Sequence, residues 1–146
     1  MQVNLSALFL FTASQVQFTS SYGGRKVTGE LGSSLNFTWI FMGSLLQADW
    51  GTKRSLNVEI DDLLVSLSSR GLESVVVPAL YDGRVNGSWD GKTDPGRLVF
   101  TLTSIRKEDS KFYTCKITPA KFGANAAYDT FQLVVRGKCQ YTVCIN

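Results

Sequence analysis

The amino-acid sequence predicts an all-β domain, a two-sheet antiparallel sandwich or a barrel. Three observations point there: short runs alternating apolar and polar residues, turn residues between them, and no segment that sustains a helical period. The clearest alternation is Leu35-Asn36-Phe37-Thr38-Trp39-Ile40-Phe41, whose odd positions are all large and apolar. Successive side chains of a strand point to opposite faces, so Leu35, Phe37, Trp39 and Phe41 are expected to line one buried face. Gly32-Ser33-Ser34 supplies the turn before this run, and Met42-Gly43-Ser44 ends it.

Three further runs read the same way. Leu98, Phe100 and Leu102 share one face of a strand that follows the turn Asp94-Pro95-Gly96. Tyr113, Cys115 and Ile117 share a face in Phe112–Thr118, and Phe131, Leu133 and Val135 do so in Tyr128–Val135. Between Asp49 and Val85 the pattern is looser. Leu63-Leu64-Val65-Ser66-Leu67 and Val75-Val76-Val77 are candidate strands there, the second an edge or loop segment because Pro78 follows it.

Composition narrows the function classes. The chain has 146 residues, enough for one domain with short appendages. With 44% hydrophobic and 18% charged residues it has the makings of a core and not of a disordered segment. The net charge of +3 is spread along the chain, without the patch or stripe that nucleic-acid binding concentrates. Histidine is absent, which removes Ser-His-Asp and Cys-His nucleophile pairs and the usual ligands of catalytic zinc. Asp49, Glu59, Asp61, Asp62 and Asp82 leave carboxylate chemistry open, but they fall on turns and strand ends, where solvated charge is the simpler reading. Gly23-Gly24 and Gly29 resemble turn residues and not a phosphate loop. We expect no enzyme activity, no cofactor and no metal.

The two ends divide the chain into three parts. Residues 1–14 contain the apolar stretch Leu5–Ala13, and Thr12 and Ser14 are small enough for a signal-peptidase site before Gln15. The n-region lacks Lys and Arg, so an ordinary first strand is the competing reading. The apolar run is too short to span a bilayer. Residues 15–136 hold the sandwich pattern. Residues 137–146 form a tail or the start of a linker, with Cys139 and Cys144.

The stretch Leu98-x-Phe100-x-Leu102-x-x-Ile105-x-x-x-Asp109-x-x-x-Tyr113-x-Cys115 closely resembles the E-to-F region of variable-type (V-type) immunoglobulin domains. The resemblance extends over roughly Val16 to Val135 and implies a Greek-key sandwich. It makes Leu98, Phe100 and Leu102 the inward residues of strand E and places Ile105 under the E–F turn. Tyr113, two residues before Cys115, is then a tyrosine corner whose hydroxyl bonds back to nearby backbone. Asp109 is expected to pair with Arg84 at the start of strand D, a structural pair and not a binding site. Trp50, eleven residues after Trp39, takes the place of the core tryptophan of strand C.

One departure stands out. Alignment of strand B puts Trp39 where the partner of Cys115 should be, so the B–F disulfide is lacking. A disulfide closing so long a loop contributes on the order of 4 kcal/mol in the chain-entropy model. Burial of a tryptophan is worth a few kcal/mol by area, roughly, and offsets part of that. Cys115 is expected to be a buried free thiol touching Trp39 and Trp50. The competing reading pairs Cys115 with a tail cysteine, against which stands the expectation that residues beyond Val135 leave the end of the sandwich; otherwise Cys139 and Cys144 bridge each other or a neighbouring module. V-type domains without this disulfide occur among invertebrate cell-surface receptors, including the allorecognition proteins of colonial hydroids. Leu35–Ile40 and Tyr81–Gly87 are similar to that group.

The resemblance implies an extracellular recognition domain that binds a cell-surface protein, of its own kind or another, in adhesion, allorecognition or immune-type recognition. The anchor would lie outside this segment, which itself makes no direct membrane contact. Besides Asn4, which would leave with a signal peptide, sequons fall at Asn36 and Asn86. Both should point outward from the A-B-E-D sheet, leaving the C-C′-F-G face for binding. The candidates on that face are Asp49, Thr114, Lys116, Thr118, Lys121, Phe122, Thr130 and Gln132. Phe122 is either an exposed anchor or a loop aromatic that packs on its own sandwich. Strand G lacks the glycine-x-glycine bulge of antibody-like domains, which argues against antibody-style pairing. The alternative is a secreted defence protein binding microbial carbohydrate, hinted at by Trp89 with Asp90 and Asn86.

Overall fold

The computed structural model describes residues 15–55 and 59–138. The leader expected over residues 1–14 and the tail cysteines Cys139 and Cys144 lie outside the described residues. Among the described residues ten strands run in chain order: β1 (Gln17–Ser20), β2 (Lys26–Glu30), β3 (Leu35–Met42), β4 (Leu45–Lys53), β5 (Asp62–Ser68), β6 (Gly71–Leu72), β7 (Val85–Trp89), β8 (Gly96–Leu102), β9 (Phe112–Pro119) and β10 (Ala127–Arg136). They form two sheets, β1-β3-β8-β7 and β2-β10-β9-β4-β5-β6. In immunoglobulin lettering these are A-B-E-D and A′-G-F-C-C′-C″. All pairs are antiparallel except β2 with β10, which runs parallel from Lys26↔Gln132 to Glu30↔Arg136.

Alternation builds the core. On β3, Phe37, Trp39 and Phe41 are buried while Asn36 is exposed. Leu98, Phe100 and Leu102 of β8 face the same interior, in register with Trp39, Phe37 and Leu35. The other sheet contributes Trp50, Tyr113, Cys115, Ile117, Phe131 and Leu133. Their rings fill the gap between the sheets: Phe37 stacks on Phe131 at 4.5 Å, and Trp50 stacks on Phe100 at 5.6 Å and on Tyr113 at 5.4 Å. Offset aromatic contacts of this kind add roughly 0.5–1.5 kcal/mol each beyond the area they bury. Gly87 permits the close approach of the two sheets at one side, since a Cβ there would lie 2.8 Å from Phe100 Cδ1 and 2.9 Å from Val65 Cγ1.

Of the two readings of Val75-Val76-Val77, the structure shows the loop and not the edge strand. It carries the chain from β6 in one sheet to β7 in the other, so no neighbouring strand offers it a ladder. Val76 is solvent-exposed, and Pro78 opens the 3₁₀ turn Ala79–Tyr81.

The bottom of the sandwich is held by polar groups. Arg84 donates from both Nη atoms to the Asp109 carboxylate, from Nη1 also to the Leu80 carbonyl (2.9 Å), and from Nε to the Thr103 carbonyl (3.2 Å). Asp109 accepts one more bond, from the Arg106 backbone N–H at 2.8 Å. The pair is buried. The Tyr113 hydroxyl donates to the Asp109 carbonyl at 2.9 Å and sits 3.1 Å from that of Tyr81. Burial raises the pKa of both phenols above the ordinary tyrosine value.

Cys115 is a buried free thiol, in register with Trp50 on β4. Burial first, then the nearby Asp129 and Asp49 charges, push its pKa well above the usual thiol value. The thiolate is the reactive form, so the native thiol is expected to be inert. Native protein treated with iodoacetamide should leave the tryptic peptide Phe112–Lys116 unmodified, and unfolding in guanidinium should give full labelling. Rapid native labelling by mass spectrometry would contradict this burial.

The candidate binding face and its surroundings

The outer face of the six-stranded sheet is organised in rows fixed by register. Tyr128, Lys116, Asp49 and Ser66 lie side by side across β10, β9, β4 and β5. Asp49 Oδ1 accepts from Ser66 Oγ (2.7 Å) and from Gln47 Nε2 (2.8 Å), which bonds Ser66 as well (3.1 Å). Lys116 Nζ stands 5.5 Å from the Tyr128 ring centroid, in cation–π range. The Tyr128 hydroxyl donates to Glu59 Oε1 at 3.1 Å. The row therefore runs acidic, aromatic, basic and acidic from Glu59 through Tyr128 and Lys116 to Asp49, an arrangement that presents both signs of charge to a partner.

The next row is closed. Thr130 and Thr114 follow on β10 and β9, with Gly51 beside Thr114 on β4. Thr114, expected on the accessible face, is fully buried: its Oγ1 donates to the Asp129 carbonyl (3.0 Å) and accepts from Thr130 Oγ1 (3.1 Å). Glu59 and Ile60, just before β5, lie over this row. Ile60 Cγ2 would lie 2.5 Å from a Cβ on Gly51, so only glycine leaves room for it. Glu59 reaches Tyr128 from the same segment. Thr130 and Gln132 are half-buried accordingly.

The open part of the face lies toward the β9–β10 loop. Asp49, Lys116 and Thr118 are half-buried on the sheet, and Lys121 is exposed on the loop. Phe122 is 103% exposed, which decides between the two sequence readings: the ring stands in solvent and does not close over the core. Leu46 (56% exposed) and Tyr128 (42%) were missed in the sequence. A bulge between Leu45 and Gln47 turns Leu46 outward, and the alternation that puts Phe131 inward puts Tyr128 outward.

Elsewhere, an open depression of about 490 Å³ at the lower end of the same sheet is lined by Lys53, Arg54, Asp61, Asp62, Lys111 and Gln132, among others. Its two carboxylates are engaged locally, Asp61 with the Arg54 backbone N–H (2.7 Å) and Asp62 with Thr52 Oγ1 (3.4 Å). Trp89 and Asn86 do not form a sugar platform, because they lie on opposite faces of β7. Trp89 packs toward the core with its Nε1 donating to the Lys92 carbonyl (2.9 Å), and Asp90 accepts the Lys92 and Arg97 N–H groups in the adjoining turn.

The sequence also passed over Asp129. Its carboxylate points inward and accepts from Trp39 Nε1 (2.6 Å), Tyr22 N–H (2.6 Å) and Gly23 N–H (2.9 Å). It ties β3, β10 and the β1–β2 turn together.

Two packed sheets of this order, the parallel edge pair and the tyrosine corner define a V-type immunoglobulin-like domain without the inter-sheet disulfide. By sequence the chain matches no family model, and no curated protein is similar to it. By structure it is similar to murine CRIg, with a TM-score of 0.61 at 18% identity over 84% of this chain and 98% of that one. It is also similar to human T-cell immunoglobulin and mucin domain protein 1 (TM-score 0.60, 18% identity, 77% of this chain and 98% of that one). A structure from photo-crosslinking analyses of multimeric cell-adhesive interactions of VGSC beta subunits aligns at a TM-score of 0.57 and 17% identity, over 82% of this chain and 98% of that one. These likenesses establish the fold.

Proposed function

We propose that the chain is an extracellular, non-catalytic recognition domain that binds a cell-surface protein through the C-C′-F-G face. The observation that carries this reading is Phe122. A fully exposed aromatic on a loop beside a mixed-charge row is the kind of anchor that interface centres favour. Leu46 and Tyr128 add apolar area nearby, and Lys116 beside Asp49 supplies both signs of charge. A two-fold contact needs only one patch that complements itself, and a patch of both signs can meet that need, so a second copy of the chain is the partner we favour. Allorecognition by an invertebrate receptor is the setting that the sequence resemblance suggests for it.

A glycan placed on the face tests this. Lys116→Asn creates a sequon with Ile117 and Thr118 in a single substitution, while Lys116→Gln removes the charge alone. The chain secreted from eukaryotic cells should self-associate at high micromolar concentration in sedimentation equilibrium. The glycosylated Lys116→Asn protein should lose at least about tenfold in affinity, or roughly 1.4 kcal/mol. Strictly monomeric wild-type protein would count against self-recognition. Unimpaired association of the Lys116→Asn protein would move the contact off this face.

A further inference from the structure

We infer that Asn36 and Asn86 carry a matched pair of N-linked glycans that covers the outer face of the β1-β3-β8-β7 sheet. Fifty residues apart in sequence, the two sequons come into register across three strands. Asn36 pairs with Thr101 of β8, and Thr101 pairs on its other side with Asn86. Thr38 and Ser88, the hydroxyl residues of the two sequons, flank Val99 in the same way. Because β3 and β7 are each antiparallel to β8, the sequons run in the same direction, two strand spacings apart, or about 10 Å.

Both asparagines are exposed, and a strand's two-residue period puts each on the same face as its hydroxyl residue. The hydrogen bonds to these side chains use the amide oxygen: Asn36 Oδ1 accepts from Thr101 Oγ1 (2.7 Å), and Asn86 Oδ1 accepts from the Gly87 N–H (2.8 Å). Nδ2 is the atom a glycan takes. In that transfer Nδ2 bonds to C1 of a lipid-pyrophosphate-linked oligosaccharide, the C1–O bond to pyrophosphate breaks, the amide loses one proton, and the lipid pyrophosphate leaves. The folded sheet then has room for both sugars, side by side over Thr101 and Val99.

This rests on the extracellular reading above, since the transfer occurs on the secretory route. The test therefore has two arms in eukaryotic cells: the chain with its own N-terminus, and the chain from Gln15 behind a supplied secretion signal. Intact mass and tryptic mapping after peptide-N-glycosidase should show the Asn-to-Asp conversion in most of both peptides, Val27–Lys53 and Val85–Lys92. Asn36→Gln and Asn86→Gln should each remove one step of the gel shift. Glycosidase treatment of the folded wild type gives the same count where a variant misfolds. Failure of both arms to deliver folded chain to the medium would overturn the extracellular reading. A secreted chain from the second arm with either peptide mostly unmodified would overturn the glycan pair.

Discussion

Replacing Arg84 with methionine is expected to destabilise the domain by about 3–5 kcal/mol, the range found when one partner of a buried ion pair is removed. The geometry explains why the loss is large. Arg84 is 6% exposed and its guanidinium makes four hydrogen bonds, two to the Asp109 carboxylate and two to the carbonyls of Leu80 and Thr103. Without it, Asp109 keeps a buried charge with only the Arg106 N–H as a side-chain partner. Domains of this size are stable by about 5–15 kcal/mol, so the variant loses a large share of its stability. The melting midpoint should fall by about 10–20 °C. Arg84→Lys should lose less, because the charge survives although the planar fork does not. Arg84→Met with Asp109→Leu should recover part of the loss by removing both charges. Urea titration at unchanged m-value measures each step. A loss below about 1 kcal/mol for Arg84→Met would mean the pair is screened like a surface bridge.

Sequence made this end of the sandwich legible because its signals are local. Ile105, Asp109, Tyr113 and Cys115 fall within one strand-turn-strand unit, where period-two burial and turn chemistry act over a few residues. The binding face was less so. Thr114 has the outward parity of its neighbours Lys116 and Thr118, yet it is buried, with Ile60 lying over Gly51 beside it. That is a tertiary event, and parity along one strand does not contain it. Leu46 escaped for a related reason, since a single-residue bulge resets the alternation. Val75–Val77 has strand composition and no partner strand, which composition alone does not reveal. The fate of Phe122 was undecided for want of any local signal on a loop. Asp129 was hidden because a charge at an inward position reads as an error of register unless its donors are known, and they come from positions about 90 and 107 residues away.

Those donors lead to the second large effect. Asp129→Ala should cost about 3 kcal/mol, because it orphans the Trp39 indole N–H and the Tyr22 and Gly23 amides together. Trp39 stands where strand B would carry the missing cysteine, and its hydrogen bond to Asp129 joins β3 of one sheet to β10 of the other. The contact thus links the sheets in place of a disulfide, although it leaves the unfolded chain unconstrained, where a disulfide's effect mainly lies. The contrast with Trp50 is informative. Among the described residues its Nε1 is the buried side-chain polar atom without a partner, and its ring is held by packing against Phe37, Phe100 and Tyr113. Two tryptophans of equal burial therefore have different duties, one filling volume and the other also linking the sheets. Trp39→Phe keeps most of the apolar area and should cost less than Asp129→Ala, since the carboxylate retains two backbone donors. A double-mutant cycle of Trp39→Phe and Asp129→Ala should show about 1–2 kcal/mol of coupling. Additivity within about 0.5 kcal/mol would show that the indole bond links the sheets in geometry only. Asp129→Asn gives the sharper test of charge, because an amide has one oxygen for three donors and turns its own N–H groups toward them. It should fall between the other two variants, with the β1–β2 turn the first segment to lose hydrogen-exchange protection.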